Sequence, residues 1–327
     1  MLFRSYLRKH GETTATSGST LGSVRVIDHA TVPIVHYKPK VLTNLAIAGV
    51  VGLMLGAVAM FVTEQLDDRI ASPREIEAFV GLNVMGIIPK LSTADKAGKN
   101  PIVLAEDSGL PEFEAFRGLR AELVTRLEKV VGPKVVCILS ALQSEGKSTV
   151  TANLAKVLAM EGRKVLVFDA DLRRPSQRAL IGRPEGPGLE DVLKGQATLV
   201  QAVQKSRIPG VDVISAREGT SGAAELAGTV RFEEALQWAR SNYDFVLIDS
   251  APVNQVSESA LVARHSVGTL LVVRESQTGR GSLMIARRRL ETMGVPLLGV
   301  VLNCSVPSSG SYDYGYYYYS YYGKAKS

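Results

Sequence analysis

The stretch Val135-Val136-Cys137-Ile138-Leu139-Ser140-Ala141-Leu142-Gln143-Ser144-Glu145-Gly146-Lys147-Ser148-Thr149 decides the fold. Its apolar, β-branched opening reads as a strand buried on both faces, and the apolar stretch Val150 to Met160 that follows reads as a helix. Between them lies a phosphate-binding P-loop in its required strand, loop and helix context. Backbone N–H groups of Ser144, Glu145, Gly146, Lys147, Ser148 and Thr149 can surround a polyphosphate. The Lys147 ammonium can reach its β and γ phosphates, and the Ser148 hydroxyl can hold Mg2+. Ala141 stands where the usual pattern has its first glycine, so the match is a relaxed one.

Two further strand ends complete a constellation. Val165 to Phe168 runs into Asp169-Ala170-Asp171-Leu172-Arg173-Arg174-Pro175, and Phe245 to Ile248 runs into Asp249-Ser250-Ala251-Pro252. Ligands of open parallel sheets bind beyond the carboxyl ends of the strands, so all three elements can converge on one phosphate and metal site. Taken singly, each carboxylate has a lesser alternative reading as a helix cap after a strand. Apolar runs also occur at Val84 to Ile88, Val211 to Ile214, Thr269 to Val273 and Leu297 to Leu302, and helical stretches alternate with the runs from residue 111 onward. That alternation predicts an α/β domain over residues 111–305, a mostly parallel sheet covered by helices on both faces. Asn303, at the end of the last strand, is placed to contact adenine or to serve as a turn residue.

Outward from this core, the 18 residues Leu45 to Val62 carry no charge, and the run extends back to Val41. That length spans a bilayer, and its position after about forty residues argues for a retained helix over residues 41–62 rather than a signal peptide. Arg25, Lys38 and Lys40 before it nearly balance Arg69 and Arg74 after it, so charge alone does not orient it. Ser72-Pro73-Arg74-Glu75 has the form of a capping box with proline at the first helical position, and predicts a short helix to about Val80. Residues 63–110 otherwise read as a juxtamembrane segment and linker, with Gly98, Pro101, Gly109 and Pro111.

The chain has 327 residues, a net charge of +6 and two cysteines. Acidic and basic residues alternate without a dense basic arm, which argues against a nucleic-acid partner, and Arg287, Arg288 and Arg289 read as a solvated helix face. Cys137 and Cys304 sit in apolar runs and read as buried thiols of a reducing compartment, with no Cys/His metal spacing. Of the eleven tyrosines, eight fall in one tail: Tyr312, Tyr314, Tyr316, Tyr317, Tyr318, Tyr319, Tyr321 and Tyr322. Residues 306–327 lack aliphatic anchors and are expected to be flexible.

Together the P-loop, the Asp-x-Asp motif at Asp169 and Asp171, the Asp-x-x-Pro motif at Asp249 to Pro252 and the tyrosine tail resemble the bacterial tyrosine kinases of the capsule and exopolysaccharide type. That family's Glu-x-x-Arg-x-x-Arg oligomerisation motif is matched by Glu114, Arg117 and Arg120, although a solvated helix face would look the same. Leu66 to Ile70 and Gly86 to Pro89 resemble the membrane-exit region of polysaccharide co-polymerases, and residues 1–40 resemble the end of their extracytoplasmic domain. The family's first membrane helix is not matched, so an N-terminally truncated chain is expected.

The resemblance implies an ATP- and Mg2+-dependent autokinase that phosphorylates its own tail in trans and regulates polysaccharide polymerisation and export. It implies an inner-membrane protein with a cytoplasmic kinase domain, partnered by copies of itself in a ring, by the export proteins and by a cognate phosphatase. Among the candidate catalytic residues Lys147, Asp169, Asp171 and Arg173, Asp171 is the first choice of base, with the reverse division between Asp169 and Asp171 left open. Ser148, Asp169 and Asp249 are the metal candidates. The alternatives are a nucleotide-binding scaffold that transfers no phosphate, and a partition-type ATPase. The latter carries a lysine five positions before the P-loop lysine, where this chain has Leu142.

Overall fold

The computed structural model describes residues 38–66, 68–90, 111–182, 186–217, 225–226, 228–256 and 258–306. The expected extracytoplasmic remnant before residue 38, the linker residues 91–110 and the eight tail tyrosines lie outside the described residues. The chain divides into two units, Met1–Leu66 and Asp67–Ser327.

In the first unit, helix α1 spans Val41–Leu66. Its apolar part, Val41–Thr63, has 23 residues at a mean hydropathy of 2.5, and none of it is buried. At 1.5 Å per residue this is about 34 Å, enough to cross a hydrocarbon core about 30 Å thick. Large side chains such as Leu53 and Met60 stand in the open on every side, as expected of a helix whose solvent is not water.

The second unit is built on eight strands in the order β1-β8-β7-β2-β6-β3-β5-β4. They are β1 Val84–Pro89, β2 Lys134–Ser140, β3 Val165–Asp169, β4 Gln204–Lys205, β5 Val211–Ser215, β6 Phe245–Asp249, β7 Gly268–Arg274 and β8 Leu297–Ser305. Every pairing is parallel except that of the short edge strand β4 with β5. Strand alternation feeds two apolar layers. Val135, Cys137 and Leu139 of β2 face one layer, whereas Val136 and Ile138 face the other.

The first layer is closed by α8 (Val230–Asn242), α9 (Glu258–Ala263) and α10 (Arg280–Thr292), through Phe232, Val262 and Leu283 among others. The second is closed by α3 (Pro111–Arg126) and α4 (Lys147–Ala159), through Phe116, Leu123, Leu154 and Leu158. Short helices α5 (Gln177–Leu180), α6 (Leu189–Leu193) and α7 (Leu199–Ala202) fill the connections after β3.

The domain boundary expected at residue 111 lies too late. Residues 68–90, expected as a juxtamembrane segment and linker, belong to the folded unit. Helix α2 runs over Pro73–Glu75 and continues as a π-turn through Ile76–Val80. The Ser72 cap forms, since the Glu75 N–H donates to Ser72 Oγ at 3.4 Å, while the Glu75 carboxylate reaches back to the Ala71 N–H at 3.5 Å rather than to that of Ser72. Ile70, Ile76 and Val80 enter the first layer, and β1 pairs in parallel with β8 to form an edge of the sheet.

Two other expectations change. Cys304 is half-buried, whereas Cys137 is fully buried. Arg287 donates to the Val80 carbonyl and to Glu291, and Arg289 donates to the Val253 and Asn254 carbonyls, so this helix face ties down neighbouring segments as well as meeting solvent.

Candidate active site

The loop after β2 turns at Gly146, whose φ of 92° is left-handed, and this residue caps the N-terminus of α4. The turn admits only glycine, because a Cβ there would collide with Asn303 Nδ2. The carboxamide of Asn303, buried at the end of β8, donates to the Glu145 carbonyl at 2.9 Å. Asn303 therefore braces the loop from beneath.

Glu145 turns its side chain inward, with 1% exposure. It accepts from the Leu142 N–H at 2.7 Å and from the buried Thr278 hydroxyl, which closes the loop on itself. Burial pushes its carboxyl up to about 7, against the hydrogen bonds of Leu142, Thr278 and Ala141. Only its backbone remains on the phosphate side. Ser144 adopts a φ of 62°, and its carbonyl accepts from Arg274 at 3.0 Å.

From the first turn of α4, Lys147 reaches between two carboxylates. Its Nζ lies 3.3 Å from Asp171 Oδ2 and 3.4 Å from Asp249 Oδ1, and donates to Ser148 Oγ at 3.2 Å. Burial opposes its charge, but Asp249, Asp171 and Asp169 outweigh burial and raise its pKa.

Asp169 and Asp249 are register partners on neighbouring strands, which brings two of the sequence motifs together as expected. Asp169 is tightly held by its own surroundings. It is fully buried, and its carboxylate accepts from the Asp171 N–H (3.2 Å), the Ser176 N–H (2.9 Å), the Gln177 N–H (2.9 Å) and the Ser215 hydroxyl (2.8 Å). Oδ2 takes three of these donors and Oδ1 takes one, so Asp169 shapes the loop that carries Asp171 while Oδ1 keeps one acceptor position. Burial and neighbouring Asp249 push its carboxyl up to about 7, against the Gln177 amide, Lys147 and the Ser215 hydroxyl.

The open side is a cleft of about 540 Å³ lined by Gln143, Ser144, Lys147, Ser148, Asp171 and Arg173, among others. At its rim Arg173 pairs with Glu258 at 2.9 Å, and Arg174 donates to Gln143 at 3.1 Å. Arg173 thus reaches the cleft through an ion pair rather than through the Lys147 cluster. The structure also brings in Gln177, Ser215 and Thr278, which motif spacing misses. Each bonds a motif residue from a distant segment, and chain order carries no signal of such a contact.

Three carboxylates around one lysine leave an excess of negative charge made of hard oxygen donors. Among the described residues no cluster of three acidic, His or Cys side chains forms an all-protein metal cage. Mg2+ characteristically takes one or two carboxylates together with phosphates and water, so Asp249 and Ser148 fit it. On α3, Arg117 pairs with Glu114 at 2.9 Å, whereas Arg120 pairs with Glu161 at 2.8 Å and donates to the Val157 carbonyl at 3.1 Å.

Residues 134–279 match the AAA domain family model, and residues 3–65 match a G-rich domain model. The chain is 30% identical to the tyrosine-protein kinase wzc of Salmonella typhimurium, over 99% of this chain and 47% of the relative. It is 30% identical to the tyrosine-protein kinase etk of Escherichia coli K12, over 96% of this chain and 45% of the relative. The chain thus spans about half the length of these curated relatives. Among solved structures, the BceF tyrosine kinase domain superposes with a TM-score of 0.65 at 30% identity, covering 73% of this chain and all of that one. The kinase domain of the E. coli tyrosine kinase ETK superposes at 0.67 with 29% identity, covering 73% of this chain and 95% of that one. Motif geometry, sequence and backbone agree: the chain belongs to the bacterial tyrosine kinases of the capsule and exopolysaccharide type.

Proposed function

We propose that this chain is an ATP-dependent protein tyrosine autokinase whose phosphoacceptors are the tyrosines between Tyr312 and Tyr322. The observation that carries the reading is Lys147 Nζ held between Asp171 and Asp249, at 3.3 and 3.4 Å, beside the P-loop and open to the cleft. In sequence the tyrosines follow β8, whose Asn303 bonds the loop.

A neutral tyrosine phenol, with a pKa of about 10, is a poor nucleophile at pH 7 and gains from a base that accepts its proton. Asp171 takes that role: it is at the cleft surface, and the Arg174 N–H at 3.0 Å fixes its other oxygen. The phenol oxygen bonds to the γ phosphorus, the bond from that phosphorus to the β–γ bridging oxygen breaks, ADP leaves, and the phenol proton passes to Asp171. Lys147 stabilises charge on the transferring group, and the loop N–H groups hold the phosphates. Mg2+, when bound, supplies further neutralisation of phosphate charge, with Ser148 and Asp249 as its protein-side groups.

Trans transfer requires copies side by side. Arg117, half exposed on α3, pairs with Glu114 within its own chain, an exposed pair that can exchange for an intersubunit one, whereas the less exposed Arg120 is held by Glu161. In this reading α1 anchors the chain in the bacterial inner membrane with the kinase domain and tail in the cytoplasm. Proteins of polysaccharide polymerisation and export are the regulated partners, and a phosphatase resets the tail.

Asp171→Asn tests the base assignment. Tail phosphorylation by the full chain in detergent is expected to fall about 10²- to 10⁴-fold, while nucleotide affinity stays within about twofold. An unchanged rate would overturn the assignment.

A further inference from the structure

Gln177 is fully buried at the start of α5 and, from outside the motifs, bonds all three motif segments. Its backbone N–H donates to Asp169 Oδ2 at 2.9 Å. Its side-chain Nε2 donates to Asp249 Oδ2 at 2.8 Å and to the Ser148 carbonyl at 2.9 Å. A carboxylate and a carbonyl only accept, so the amide orientation is set by its neighbours and both Nε2 hydrogens are used. The cost appears at the other end of the group, where Oε1 is buried without a hydrogen-bond partner. An apolar side chain of the same volume would fill the space without that orphaned acceptor. A glutamine here therefore points to a task for its two donors.

That task is legible in Asp249. With Oδ2 held by Gln177, the carboxylate is fixed in the rotation that turns Oδ1 toward Lys147 Nζ at 3.4 Å. The second donor ties the same amide to the backbone of Ser148, whose hydroxyl is the other candidate Mg2+ group. Gln177 thus sets the spacing between the helix carrying Ser148 and the strand end carrying Asp249. We propose that Gln177 is a positioning residue that presents Asp249 Oδ1 and Ser148 as a preorganised pair for Mg2+. The inference rests on the reading of Asp249 and Ser148 as the Mg2+ groups.

The test uses the full chain in detergent and a fluorescent ATP analogue, titrated with Mg2+ and, separately, measured in EDTA. Gln177→Met, which keeps the volume and removes both donors, is expected to raise the half-saturating Mg2+ concentration about tenfold, with binding in EDTA within twofold of wild type. Gln177→Asn keeps the amide but shortens its reach, and is expected to fall between the two. It also serves as the deciding variant if Gln177→Met shows no cooperative unfolding. In an Asp249→Asn background, Gln177→Met should shift the Mg2+ midpoint little further, because the group it positions is gone. A Mg2+ midpoint unchanged in both variants, or binding in EDTA that falls in parallel, would overturn the positioning role. Wild-type binding indifferent to Mg2+ would instead overturn the underlying reading of Asp249 and Ser148, and the inference with it.

Discussion

At the scale of single residues, two aspartates separated by one position do different work because of what surrounds each. Asp169 is at the very end of β3 and meets four donors, whereas Asp171 lies beyond the sheet and meets Lys147. Asp169→Ala would strand the amides of Asp171, Ser176 and Gln177, and at about 1–3 kcal/mol per unsatisfied buried group the expected loss is on the order of 3 kcal/mol in denaturant unfolding. Glu145 makes a pH prediction. Burial raises its carboxyl from 4.5 to about 7 in the fold, so the folded state holds the proton more tightly than the unfolded chain. Its contribution is fully present below about 4.5 and is lost as pH rises through about 7. Unfolding free energy measured at pH 5 and pH 8 without nucleotide should therefore fall with pH, and Glu145→Gln should flatten that slope. The motifs that carry Lys147, Asp171 and Asp249 are readable from spacing alone. The inward turn of Glu145 and the bracing by Asn303 are not, since both depend on partners more than a hundred residues away.

Among the elements, the segment just after α1 is bound to the loop before α10. The Ile70 N–H donates to the Thr278 carbonyl at 2.9 Å, the Ser276 N–H to the Ile70 carbonyl at 2.8 Å, and the Arg280 N–H to the Asp68 carbonyl at 2.7 Å. The Gly281 N–H adds a bond to Asp68 Oδ2 at 3.0 Å. Thr278 in turn donates to Glu145, so the anchor of this segment is one side chain away from the P-loop. Thr278→Val is expected to weaken nucleotide binding several-fold, with Thr278→Ser restoring it, as read by titration. Equal affinity in the valine variant would separate the two segments. The parallel sheet is legible because strands buried on both faces read as unbroken apolar runs. The membership of β1 is less so: an edge strand declares its conformation locally, but its partner, β8, lies over two hundred residues away. Strand β4 has only two residues and carries no periodic signal at all.

For the whole molecule, the balance of charge changes with the proposed reaction. The chain begins at +6. Each phosphotyrosine adds roughly −1.5 to −2 at neutral pH, so complete modification of the tail would add on the order of −12 to −16. Tails crowded together in an assembly would then repel one another, and phosphorylated chains are expected to sediment as smaller species than unphosphorylated ones at about 0.15 M salt, where repulsion acts over roughly 8 Å. The most direct test of the central claim is mass spectrometry of the Tyr312 to Tyr322 peptide after the purified full chain is incubated with ATP and Mg2+. Phosphate on several of these tyrosines in the wild type, and on none in Lys147→Met, is the predicted result. An unmodified wild-type tail that nonetheless binds nucleotide, or equal phosphorylation in the Lys147→Met chain, would contradict it.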